Sequence, residues 1–150
     1  MGTIFTTSSV PRPVGPYSLY TIAGDLIFLS GQIGLDGNTG KVVTGWIKEQ
    51  TTQVCRNIKS ILFELGLGLK DVVKTTVFLK NMDHFSEMNE IYKDYFVLKP
   101  ARSTVEVSKL PQIKGADWSL NEETLIEIEC IVQKPKESVS RNAWWVWRSI

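Results

Sequence analysis

The chain has 150 residues, of which 43% are apolar and 22% charged, and this length and composition fit one globular domain. Lys and Arg number 17 against 16 Asp and Glu, for a formal net charge of +1, so we expect no nucleic-acid partner, which would call for clustered basic residues. No apolar run approaches the roughly 18 residues of a membrane span, and residues 1–13 lack an apolar signal-peptide core, so we expect a cytoplasmic protein without a membrane partner.

Two features of the sequence bear on the compartment. Gly2 begins a match to the N-myristoylation pattern, but Thr3–Thr7 also fits an edge strand, which is the interpretation we favour. Mitochondrial and membrane-tethered forms therefore stay open. Cys55 and Cys130 fall on apolar faces of predicted elements and form no C-x-x-C pair, which indicates buried free thiols in a reducing compartment.

The first half of the chain predicts strands followed by a helix. The strands are Thr3–Thr7, Ser18–Ile22 and Leu26–Ile33. The last two are joined by Ala23-Gly24-Asp25, a hairpin signal. Apolar residues then recur at helical spacing over Ile47–Leu65, and Gly66 is a natural helix stop.

The second half alternates strands with one further helix. Val72–Leu79 is rich in Val and Thr and predicts a strand. Phe85–Phe96 has an apolar side at helical spacing, with Asp83 as the candidate N-cap. Strands at Arg102–Val107 and Ile126–Val132 complete the order β-β-β-α-β-α-β-β.

This order predicts an α+β sandwich with two helices on one face of a mixed sheet. The opposite face still carries apolar positions in Leu26–Ile33 and Val72–Leu79. Because large exposed apolar patches usually mark an interface, we expect a closed homo-oligomer.

We predict one domain over residues 1–133 and a C-terminal extension over residues 134–150. Ala143–Trp147 within the extension is too apolar for a solvated tail. Packing on the assembly, binding a partner and an artefact of the reading frame all stay open for it.

Three charged residues of the strands are candidates for chemistry. Arg102 presents a planar fork that can hold a carboxylate through two parallel hydrogen bonds, and Thr104 and Glu106 share its strand face. It could equally be a surface Arg paired with a Glu. Glu127 and Glu129 share a strand face, an arrangement that is common at a solvated polar edge.

Short motifs follow one another in a fixed order from Gly15 to Val132. They are Gly15-Pro16-Tyr17-Ser18, Ser30-Gly31-Gln32-Ile33, Gln53 with Asn57-Ile58, Asp71 to Phe78, Asn89-Glu90-Ile91-Tyr92 with Tyr95-Phe96, Pro100-Ala101-Arg102-Ser103, Val105-Glu106-Val107, Leu110-Pro111 and Ile126-Glu127-Ile128-Glu129. Each motif is modest alone, but the ordered set is specific. On this set the chain resembles the YjgF/Rid family of reactive-intermediate deaminases.

The resemblance implies a chorismate-mutase-like fold and a homotrimer with clefts between its subunits. It implies hydrolysis of 2-iminobutanoate or 2-iminopropanoate to a 2-keto acid and ammonia, without cofactor or metal. Arg102 would anchor the substrate carboxylate, Glu127 would position or deprotonate the attacking water, and Glu129 would be structural. The family's other pocket positions fall on Tyr17, Ser30, Gly31, Asn89 and Thr104.

The chain departs from the family pattern at two places. Thr104 stands where many members carry Cys, which excludes thiol chemistry there. Gln112–Thr124 is longer than the family's usual turn and leads directly to Glu127. It could reshape the mouth of the pocket, or slip the strand by one residue and move both glutamates to the other face.

Two alternative functions are open. Family members often carry the label of ribonuclease or translation inhibitor, but His84 is the only histidine, so one chain cannot build a two-histidine ribonuclease site. A non-catalytic, ligand-binding or chaperone-like trimer is the other alternative, since an anchoring Arg serves binding and catalysis equally.

Overall fold

The computed structural model describes residues 10–113 and 123–136. This part of the chain forms a mixed α+β fold whose elements are β1 (Tyr20–Ala23), β2 (Leu26–Ile33), α1 (Ile47–Glu64), β3 (Val72–Leu79), α2 (Phe85–Tyr95), β4 (Ala101–Glu106) and β5 (Ile126–Gln133). The seven elements predicted between Ser18 and Val132 are confirmed, each within two residues of its expected limits. The predicted strand Thr3–Thr7, Gly2 and the Trp-rich segment lie outside the described residues.

The strands form one five-stranded sheet in the order β1-β2-β5-β3-β4. All neighbours are antiparallel except β3 and β4, which are parallel and connected through α2. β5, the last strand of the described residues, is thus inserted between β2 and β3. Glu127 therefore lies on the central strand, whereas Arg102 lies on β4 at one edge of the described sheet.

The two helices begin and end for identifiable reasons. In α1 the Glu49 carboxylate accepts a hydrogen bond from the Trp46 backbone amide at 2.8 Å. After α1, Gly66 adopts φ 72° and lets the Leu67 amide reach back to the Leu62 carbonyl at 2.8 Å. The prediction that Asp83 caps α2 is wrong. A 3-10 turn, Met82–His84, precedes that helix, and the Asn81 side chain accepts from the Asp83 amide at 2.8 Å.

Both helices pack on the same face of the sheet, here called the helix face, and their buried residues join those of the strands in one core cluster. The alternation on β5 is complete, since Ile126, Ile128, Cys130 and Val132 are buried. Burying one such aliphatic side chain stabilises the fold by about 1.5–3 kcal/mol. Glu127 and Glu129 consequently point to the other face, the open face.

The open face retains exposed apolar side chains. Leu26 is 36% exposed, Phe28 40% and Val105 41%, against at most 1% for Ile27 and Val77 on the helix face. These values agree with the uncovered face expected from the sequence, and they leave the oligomer as a prediction. In the part of the chain that the structure describes, neither helix is long and apolar enough to span a membrane.

The side chains of two glutamines, Gln50 and Gln112, fix the chain just before β5. The Gln50 side chain donates to the Glu123 carbonyl at 2.6 Å and accepts from the Leu125 amide at 2.9 Å. The Gln112 side chain accepts from the Thr124 amide at 3.0 Å, which ties together the two described ends of the long insertion. Glu127 pairs with Phe78 on β3 and with Ile33 on β2, so its register is defined from both sides.

Candidate active site

Arg102 is the centre of a polar and aromatic group on the helix face, the arginine cluster, which comprises Arg102, Asn89, Phe85, Tyr92 and Thr104. Its Nη1 donates to Asn89 Oδ1 at 2.7 Å. Its guanidinium carbon lies 4.7 Å from the centre of the Tyr92 ring and 5.5 Å from that of Phe85. A guanidinium over aromatic rings is attracted by their π electrons. The remaining N–H groups of the fork stay available to an anion.

Tyr92 is itself fixed from two sides. Its hydroxyl and Thr75 Oγ1 are 2.7 Å apart, and its ring stacks on Phe96 with a centroid distance of 4.4 Å. Burial raises the pKa of the Tyr92 phenol, so the ring stays neutral beside Arg102. Sequence reasoning missed this support. The spacing of three residues between Asn89 and Tyr92 places both on one helix face and could have indicated it.

Thr104 and Glu106 follow Arg102 on the same face, as the strand alternation predicted. Thr104 Oγ1 is buried and has no hydrogen-bond partner among the described residues, so its hydrogen-bonding capacity is unused. Glu106 instead accepts a hydrogen bond from the Met82 amide at 2.7 Å, which gives it a structural role at the start of the turn before α2.

A second group, the glutamate cluster, lies on the opposite side of the sheet and comprises Tyr17, Ser30, Gly31 and Glu127. The pairing of β2 with β5 is irregular between Leu29 and Gln32, so Ser30 and Gly31 sit in a bulge. A Cβ atom on Gly31 would lie 2.6 Å from Glu127 Cδ, so only glycine leaves room for that carboxylate.

The bulge also holds the Pro-rich loop that precedes β1. Ser30 Oγ donates to the Ser18 carbonyl at 2.6 Å, next to Tyr17. Tyr17 and Gly31 line the same small cavity, of about 30 Å³, and the Tyr17 side chain is 48% exposed. The predicted residues of this group are therefore neighbours in space.

Burial raises the pKa of the Glu127 carboxyl above its ordinary value, and the like charge of Glu129 raises it further. A carboxylate that is partly desolvated and near another negative charge holds a proton more tightly. Its conjugate base is correspondingly stronger at neutral pH, which suits a general base.

The arginine and glutamate clusters do not meet within this chain. Arg102 is paired with Thr75 across β3 and β4, and Thr75 is buried under the helices. Glu127 is paired with Phe78 across β3 and β5, and it points to the face opposite that of its neighbour Ile128. Arg102 and Glu127 thus lie on opposite faces of the sheet. A single chain cannot present both side chains to one small molecule.

Within residues 10–113 and 123–136, no group of three or more His, Cys, Asp or Glu side chains is placed to hold a metal ion. Cys55 and Cys130 are both free and buried, as predicted. Burial raises the pKa of the Cys55 thiol to about 12. Burial also raises the pKa of the Cys130 thiol, so neither cysteine is a nucleophile at neutral pH.

Known proteins share this fold and these motifs. The family model described as endoribonuclease L-PSP matches residues 7–134. A RutC family protein of Pyrococcus horikoshii is 47% identical over 135 residues, covering 89% of this chain and 99% of that protein. The human protein named 2-iminobutanoate/2-iminopropanoate deaminase is 37% identical over 139 residues, covering 91% and 94%.

Solved structures give the same result. A Rid-family protein from Yersinia pestis has a TM-score of 0.75 at 38% identity, with 87% of this chain and 98% of that chain covered. Escherichia coli TdcF with bound serine has a TM-score of 0.75 at 31% identity, covering 89% and 99%. The chain therefore belongs to the endoribonuclease L-PSP family, also called the YjgF/Rid family.

Proposed function

We propose that the protein is an imine deaminase that hydrolyses 2-iminobutanoate and 2-iminopropanoate to 2-keto acids and ammonia. The observation that carries the proposal is the Arg102 fork, held by Asn89 at 2.7 Å and lying over the Tyr92 ring in a cleft of about 490 Å³. A planar fork with free donors in a partly apolar cleft is suited to a carboxylate.

We propose that the site is composite and that a homotrimer assembles it. A ring of identical subunits joins two different patches at each interface. The exposed apolar side chains of the open face favour burial against another subunit. In such a ring the arginine cluster of one protomer would meet the glutamate cluster of the next.

The chemistry needs few groups because an imine carbon is already electrophilic. Arg102 holds the carboxylate, and Thr104 lies beside it on the same face of β4. Glu127 takes a proton from water as its oxygen bonds to the imine carbon, and the C=N pair moves to nitrogen. Transfer of that proton to nitrogen gives a carbinolamine. Its hydroxyl proton then passes to the nitrogen as the C=O bond forms and the C–N bond breaks, which releases ammonia and the 2-keto acid. Ser30, Gly31 and Tyr17 shape the pocket around the carboxylate of Glu127.

Two relatives support this assignment. The human relative is named as a deaminase of the same two imines, and the TdcF structure has bound serine, a small carboxylate compound. Both share the fold and the family of this chain.

The first test is a coupled assay. A dehydratase generates imine from serine or threonine, and the loss of imine is followed with and without this protein. Acceleration well above the spontaneous rate supports a deaminase. A protein that binds 2-keto acids but leaves the rate unchanged would be a binding module. Cleavage of RNA with a steep salt dependence would instead indicate a nuclease.

The second test addresses the composite site. We expect the Arg102→Lys chain and the Glu127→Gln chain each to be inactive when expressed alone. The two chains are then co-expressed. In a mixed ring about a quarter of the sites combine an intact Arg102 with an intact Glu127 from the neighbour. Recovery of activity to that level supports a shared site, whereas no recovery would overturn it. Light scattering on the same samples tests the trimer.

A further inference from the structure

The cleft beside Arg102 is larger than a three-carbon imino acid requires. Its volume is about 490 Å³. Liquid water takes about 30 Å³ per non-hydrogen atom, so 2-iminopropanoate needs roughly 180 Å³ on that scale. The walls beyond Arg102 can therefore contact additional substrate atoms.

These walls carry positive charge and no carboxylate. The lining residues are Asn89, Tyr92, Lys93, Phe96, Val97, Lys99, Pro100 and Arg102. The described ion pairs join Lys48 to Glu90 and Lys80 to Glu123, so Lys93 and Lys99 belong to neither. Lys93 lies close enough to Glu90 to help lower the pKa of that exposed carboxyl, but Glu90 does not line the cleft. A cleft lined by charges of one sign and apolar walls attracts ligands of the other sign.

The two lysines approach the cleft from different elements. Lys93 follows Asn89 by four residues on α2, so both lie on one helix face. Lys99 precedes Arg102 by three residues, at most about 10 Å of extended chain. They extend the positive surface of Arg102 along both walls.

Lys99 also adopts an unusual backbone conformation. Its φ of 53° is the one positive value outside glycine among the described residues, and its amide donates to the Phe96 carbonyl at 3.0 Å. A non-glycine residue in this region costs on the order of 1 kcal/mol, and such strain concentrates at functional sites. Glycine would remove the strain, but it would also remove the ammonium group from the cleft.

We propose that Lys93 and Lys99 form a subsite for a second carboxylate, and that 2-imino dicarboxylates such as 2-iminoglutarate are preferred substrates. This inference rests on the proposed function, because Arg102 holds the first carboxylate. The reaction is the same hydrolysis: the water oxygen bonds to the imine carbon, the C–N bond breaks, and ammonia and a 2-oxo dicarboxylate leave. No oxidant or reductant is consumed.

The experiment compares two imines made in the assay by an amino-acid oxidase, one from glutamate and one from 2-aminobutanoate. Semicarbazide traps the free imine, and competition with the protein gives kcat/KM for each. We expect a higher kcat/KM for the glutamate imine. Lys93→Ala and Lys99→Ala should each lower that value by about two- to fivefold, as for exposed charge pairs, and leave the 2-iminobutanoate value within about twofold.

Two further variants separate charge from structure. Lys59→Ala, an exposed lysine on α1 away from this cleft, should change neither value. Lys99→Gly should lower the kcat/KM for the dicarboxylate as Lys99→Ala does, and it should raise the melting temperature because it relieves the strain at φ 53°.

The outcomes distinguish this inference from the proposed function. Equal kcat/KM for both imines, or equal losses on both in the lysine variants, overturns the subsite and leaves the deaminase intact. If neither imine is hydrolysed, the proposed deaminase function is wrong. The subsite is then tested by calorimetry of 2-oxo acid binding. Tighter binding of 2-oxoglutarate than of 2-oxobutanoate, lost in Lys93→Ala, would support it, and equal binding would overturn it.

Discussion

The arginine and glutamate clusters hold their charged groups in different ways. Arg102 is fixed within its own protomer by Asn89 at 2.7 Å and by the Tyr92 ring, which is anchored to Thr75. The Glu127 carboxylate lies against Gly31 and, among the described residues, has no hydrogen-bond donor or ion-pair partner. An anchor gains from rigidity, whereas a base must keep its lone pairs for a proton. The difference between the clusters matches these two roles.

Loss of the base should have the largest effect. Glu127→Gln keeps the shape of the side chain but cannot take a proton, so we expect turnover to fall by about 10²–10⁴ while 2-keto acids still bind. Stopped assays and calorimetry measure the two quantities. Because the folded pKa of Glu127 is raised, ionised Glu127 destabilises the fold above that pKa, and the variant should unfold at an equal or higher temperature at neutral pH. If Glu127→Gln instead lost 2-keto acid binding and kept a normal kcat, the roles assigned to the two clusters would be reversed.

Arg102→Lys tests the rigid side of the comparison. The charge remains, but the bidentate fork and its stacking on Tyr92 are lost, so we expect kcat/KM to fall by about 10²-fold with the fold intact. The circular dichroism spectrum and melting temperature check the fold. Near-normal kinetics would remove Arg102 from the site.

Gly31→Ala alters the position of Glu127 without changing any titrating group. The added methyl group would lie 2.6 Å from Glu127 Cδ and 2.8 Å from Cγ, so the carboxylate must move. We expect a loss of activity of about 10- to 100-fold. Gly68→Ala is the matched control, because its nearest neighbour would be 3.9 Å away. Equal activity of both variants would show that the carboxylate position on Gly31 does not matter.

Tyr92→Leu should have a smaller effect on the anchor. The aromatic support under Arg102 is removed, and a cation–π contact of about 1 kcal/mol corresponds to roughly fivefold weaker carboxylate binding. Tyr92→Phe is the control: it keeps the ring, loses the hydrogen bond to Thr75, and should lose stability rather than affinity. An equal rise in KM for both variants would show that the hydroxyl, and not the ring, supports Arg102.

The smallest expected effect is a shift in pH dependence. The acidic limb of the rate profile should follow the ionisation of Glu127, whose pKa is raised first by burial and then by Glu129. Glu129→Gln removes the like charge, so the pKa of Glu127 should fall and the acidic limb should move to lower pH. The pKa of Glu127 should still stay above its ordinary value, since burial remains. A shift to higher pH would contradict this assignment of the base.

The sequence predicted the elements well because their signals are local. The β5 alternation of Ile126, Ile128 and Cys130 with Glu127 and Glu129 specified its faces, and the helical stripe from Ile47 specified α1. The start of α2 at Phe85 was predicted correctly, but its cap was not: Asp83 and Asn81 are both good capping residues, and the Asn81 side chain caps the 3-10 turn that precedes the helix.

The amino-acid pattern was enough to predict which residues share a strand face and which family motifs they follow. It grouped Arg102 with Thr104 and Glu106, and Glu127 with Glu129, because alternation along a strand is fixed by its pleat. Only the tertiary structure decided that the two groups lie on opposite faces. That follows from the insertion of β5 between β2 and β3 and from its pairing of Glu127 with Phe78. Strand order and register depend on contacts between distant segments, which no local pattern encodes. For the same reason, the placement of Tyr92 beneath Arg102 and of Gly31 beneath Glu127 emerged only from the packed fold.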